Sequence, residues 1–119
     1  MSDNYDIDRE LYECECSYDA AVSYESDVVR GLVVMGILRV SDYQTRVMIL
    51  REVELKTANT FNTILHNLKV MMLYVMDANK FGYHSSKEID DYIHRILRLT
   101  DDIKSHKVED EDLILNEYK

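Results

Sequence analysis

The sequence predicts an all-α protein. It would be a small helical bundle around one long central helix, or two nearly collinear ones, with an acidic N-terminal segment and a short acidic C-terminal tail. Three observations carry this. The 119 residues contain no proline and only Gly31, Gly36 and Gly82 as glycines, too few turn residues for the reversals of an antiparallel sheet. Apolar side chains recur at alternating steps of three and four across residues 47–75, the repeat of one helix face. An apolar fraction of 46% beside 31% charged residues is enough to build a core, which disordered chains lack. This length supports one core, so a single domain is expected over 1–119, with an acidic segment at 1–24, a helical core at 25–105 and a tail at 106–119.

In the first segment Ile7, Leu11, Cys14, Tyr18 and Ala21 or Val22 follow the helical repeat, and Asp3 or Asn4 is available as an N-cap. The charge density supports a second reading, a solvated and partly disordered acidic arm. Residues 26–40 are apolar on nearly every side, so periodicity does not separate a buried helix from a buried strand. Their five valines favour the strand; length and the helical context favour a central helix, in which Gly31 and Gly36 would admit close approach of a neighbour.

From residue 41 the pattern is clearer. Val47, Leu50, Glu54, Thr57, Phe61, Ile64, Leu68, Met71 and Val75 form the stripe, with no proline or glycine between 37 and 81. A continuous helix over 42–77 would be about 54 Å long. Glu54 and Thr57 interrupt the apolar face, and Thr57 or Asn59 could cap a second helix. Residues 80–84 read as a loop, and Ser85 with Glu88 three residues later is a capping box. The helix it opens runs to about residue 104 and buries Ile89, Tyr92, Ile93, Ile96, Leu97, Thr100 and Ile103. Lys87/Asp91, Asp91/Arg95 and Arg98/Asp102 would pair on its wet side. In the tail, four acids at 109–112 precede Leu113, Ile114, Leu115 and Tyr118, the pattern of a short docking peptide.

Few residues suggest chemistry. His66-Asn67-Leu68-Lys69 resembles the opening of the histidine-phosphotransfer motif, H-x-L-K-G, which implies an exposed imidazole with a lysine beside it. This chain has Val70 and Met72 where that family has small residues, which obstruct a response regulator. Asp91 and His94 resemble half of the carboxylate and histidine set of di-metal bundles; the other half is missing, and a solvated ion pair accounts for them. Cys14 and Cys16 would point about 200° apart on a helix, which suits idle thiols better than a metal site. The sequence has no glycine-rich phosphate loop and no serine-nucleophile motif. It therefore predicts a protein that is not an enzyme and has no cofactor and no metal.

Charge points to partners. Residues 1–27 hold nine acids and one base, residues 28–108 nine acids and twelve bases, and residues 109–119 five acids and one base. Such a surface attracts basic proteins and repels phosphate backbones and anionic membranes, so neither direct nucleic-acid binding nor membrane binding is expected. The carboxylates Asp6, Asp8, Glu10, Glu13 and Glu15, interleaved with Tyr5 and Tyr12, would form the contact with a partner of basic surface. The protein would then regulate or inhibit that partner, in one version by imitating a nucleic acid. Low glycine and proline beside abundant aspartate, isoleucine and tyrosine is compatible with an AT-rich coding genome such as that of a phage or large DNA virus. Two alternatives are phosphotransfer signalling at His66 and a self-associating structural protein. A homodimer is expected, through Phe61, Ile64, Leu68, Met71 and Val75 or through the glycine-marked segment at 31–36. Two cysteines with no disulfide framework and no apolar run near the roughly 20 residues of a membrane span suggest a cytoplasmic setting, in the producing or the host cell.

Overall fold

The computed structural model describes residues 6–82 and 84–106, and among these it has helices and no strand. Helix α1 (Ile7–Val34) begins at Asp6, whose carboxylate accepts the Arg9 backbone N–H at 3.2 Å. Asp8 and Glu10 lie in its first turn, where carboxylates meet the positive end of the helix dipole. The acids that suggested a solvated arm thus favour the helix start. Ile7, Leu11 and Cys14 are buried, so residues 7–24 belong to the folded body.

The reading of 26–40 as one central helix requires correction. Helix α1 stops at Val34, and Gly36 adopts φ 74°, with its N–H donated to Val33 O and the Met35 N–H donated to Gly31 O. These bonds close the last carbonyls of the helix, and only glycine takes that backbone shape at no cost. A Cβ at Gly31 or Gly36 would meet no atom within 4 Å, so close approach is not what either position serves. A single turn, α2 (Ile37–Val40), follows and packs Leu38 beneath Val29 and Leu50.

Helix α3 (Tyr43–Phe81) is one uninterrupted helix of 39 residues, about 58 Å long at the standard rise. Asp42 opens it by accepting the Thr45 N–H at 2.7 Å. That hydrogen bond, before any other influence, holds the Asp42 carboxyl below its ordinary value. Neither Thr57 nor Asn59 caps a second helix: the Thr57 hydroxyl donates to Val53 O at 3.0 Å, which satisfies it inside the core. Val53 takes the buried seam position that strict periodicity gives to Glu54, which faces solvent. Gly82, at φ 73°, turns the chain, and the expected capping box at Ser85 and Glu88 opens α4 (Ser86–Ser105).

Contacts at both ends of α4 fix its direction. Tyr92 and Arg95 meet Asp8, Tyr18 meets Asp102, and His106 meets Glu25, so α1 and α4 run parallel and α3 runs against both. The molecule measures 60 × 23 × 19 Å. Along that length the packing changes. Where all three long helices run together, α1, α3 and α4 bury fourteen side chains as one cluster, among them Leu11, Phe61, Leu68, Met71, Val75 and Ile96. Beyond Glu25 and Thr57, α4 has ended; there Val29, Leu38 and Leu50 form a second, smaller buried cluster with Leu32, Val33, Val47 and Ile49 packed around them, and Val53 and Arg46 are also buried at this end.

Candidate functional site

The α1 carboxylates divide into those the fold engages and those left to solvent. Arg95 reaches across from α4 to Glu15 at 2.8 Å and Asp8 at 3.3 Å, and Tyr92 donates its hydroxyl to Asp8 at 3.2 Å. The Glu15 hydrogen bond is the main reason the Arg95 guanidinium is held above its ordinary value. Tyr92 is also pushed up, first by burial and then by the Asp8 charge. Arg95 thus turns from its expected partner Asp91 toward α1, and two of the five proposed contact acids serve helix packing. Glu13 pairs with Arg9 at 3.2 Å on the same helix, and Asp6 is the helix cap. Glu10 and Glu13, with Ser17 on the same helix, line an open crevice of about 270 Å³, and Thr60, Thr63 and Asn67 of α3 lie across from them. Tyr12 is exposed; Tyr5 lies outside the described residues.

Glu25 is a functional-looking residue that sequence reasoning missed. It is 4% exposed on α1, and one carboxylate oxygen meets His106 Nε2 at 2.8 Å while the other has no partner among the described residues. The His106 ring stands edge-on to Phe61 and Tyr18, with centroids 5.1 and 6.3 Å away. Glu25 does fall on the seam begun by Leu11, Cys14, Tyr18 and Val22. Its charge concealed that position, as the position of a partner 81 residues away was not visible.

The proposed self-association stripe also requires correction. Phe61, Ile64, Leu68, Met71 and Val75 are buried against α1 and α4 within one copy, which leaves them no surface for a second. The glycine-marked alternative keeps exposed apolar surface: Val34 is 79%, Met35 72% and Val40 85% exposed around the turn at Gly36. On α4, Leu97 is exposed and Leu99 takes its place in the core, while Ile93 and Thr100 are half-buried.

The remaining candidates are scattered. His66 and Lys69 are both exposed on α3, with Val70 and Leu73 exposed beside them. His94 faces solvent and contacts Asp90 O at 2.8 Å. Cys14 is buried, which pushes its thiol up, and Cys16 is exposed, as their spacing on a helix requires. Among the described residues no three His, Cys, Asp or Glu side chains are grouped to hold a metal, and no helix is long and apolar enough to cross a membrane. No protein-family model matches this chain, and comparisons with curated proteins and with solved structures give no match.

Proposed function

We infer that this is a non-catalytic binding protein whose acidic α1 face meets a protein partner of basic surface and regulates or inhibits it. One observation supports this most. Residues 6–27 carry eight acids and one base, while from α4 Arg95 pairs with Asp8 and Glu15 and Arg98 lines a crevice with Glu15 and Asp19, so the acids still outnumber the bases that face them among the described residues. A concentration of like charge repels itself, and beyond the cap and dipole contacts and the bonds of Asp8, Glu15 and Glu25 to Arg95, Tyr92 and His106 the remaining acids offer folding little. A basic partner relieves the repulsion and is drawn in quickly, since surface charge raises association rates more than affinity. The acids that Arg95 and Arg9 leave least constrained are Glu10 and Asp19, with Glu13 on the crevice rim.

The test is affinity capture from the native cell with the full chain, beside a variant carrying Glu10→Gln, Glu13→Gln and Asp19→Asn, followed by mass spectrometry. A basic protein retained by the wild type, lost by the variant and released as salt rises supports the reading. Equal recovery by both chains sinks it. Phosphotransfer at His66 has one observation in its favour, the joint exposure of the imidazole and Lys69; an acid-labile phosphohistidine after incubation with a small-molecule phosphodonor would establish it.

A further inference from the structure

We draw no further inference here: the strongest candidate, the apolar surface patch of Val34, Met35 and Val40 around the turn at Gly36 that closes the two-helix end, is an unpartnered face, and nothing in the structure shows what covers it.

Discussion

The two ends of this molecule are built from the same two helices and differ in what a third one adds. At one end α1 and α3 have α4 across their seam, and fourteen side chains are buried together; at the other they have only the single turn of α2, and three are. Residue type does not explain the difference, because the two-helix end holds Val28, Val33, Val34, Met35, Val40 and Met48 and leaves the last four exposed or nearly so. Burial needs a partner surface as well as an apolar side chain. A pair of helices closes one seam and wets its flanks, whereas three close a prism. Most of the fold's free energy therefore belongs to the end where the acidic α1 face is held in place.

The sharpest test of this difference is a pair of matched substitutions. Leu68→Asp buries an unpaired carboxylate in the three-helix end, at a cost of several kcal/mol against a total of roughly 5–15; it should unfold the chain. Leu50→Asp, in the two-helix end, should melt residues 28–56 while α4 and residues 60–80 remain helical and protected from exchange. If hydrogen exchange shows both variants failing globally, the two ends form one cooperative unit.

A smaller effect is expected where the ends meet. His106→Ala leaves the Glu25 carboxylate buried with no partner, and breaking such a pair costs about 3 kcal/mol. Chemical denaturation should show that loss, and His106→Ala with Glu25→Leu should regain most of it. A double variant as weak as the single one would mean that the ring's contacts with Phe61 and Tyr18, and not its contact with Glu25, carry the stability.

Smaller still is the cap of α4. Ser85→Ala removes a side-chain acceptor for the Glu88 N–H and should cost about 1 kcal/mol in thermal unfolding. The Glu88 carboxyl is held below its ordinary value, chiefly by the Ser85 N–H it accepts, and Asp42 is held down in the same way by Thr45. Lowered carboxyls stabilise the folded state above their unfolded values, and that contribution disappears as pH falls through the folded ones. Both helix starts should therefore loosen on the acid side, below about pH 4, and Glu88→Gln, which removes the titrating carboxyl, should abolish that response for α4 alone. At the bottom of the scale, His66→Gln on the exposed side of α3 should change stability by less than about 0.5 kcal/mol and leave partner capture intact. Lost capture would move the functional surface from α1 to α3.

Periodicity and capping were legible in the sequence because they are local. The stripe from Phe61 to Val75, the capping box at Ser85 and the all-helical class each depend on residues within a few turns of one another. What could not be read was set by distant residues. Arg95 sits four places from Asp91 and chooses Asp8 and Glu15 instead, since two carboxylates on a packed helix hold a guanidinium better than one on a wet face. The end of α1 was missed for a different reason. Residues 26–40 are apolar throughout, and a period says nothing when every position qualifies; only the positive φ of Gly36 marks the turn, and glycine alone does not announce it. For the candidate site, the acidic set was visible and its division between packing and solvent was not.

The length of α3 has a consequence for handling the protein. A compact globule of 119 residues has a radius of gyration of about 13.5 Å, whereas this rod has 18.7 Å. On a sizing column calibrated with spherical standards, a single copy should elute early, near the position of a globular dimer. Elution volume alone will misreport its stoichiometry, so copy number must come from light scattering or sedimentation equilibrium, which weigh the particle without regard to its shape.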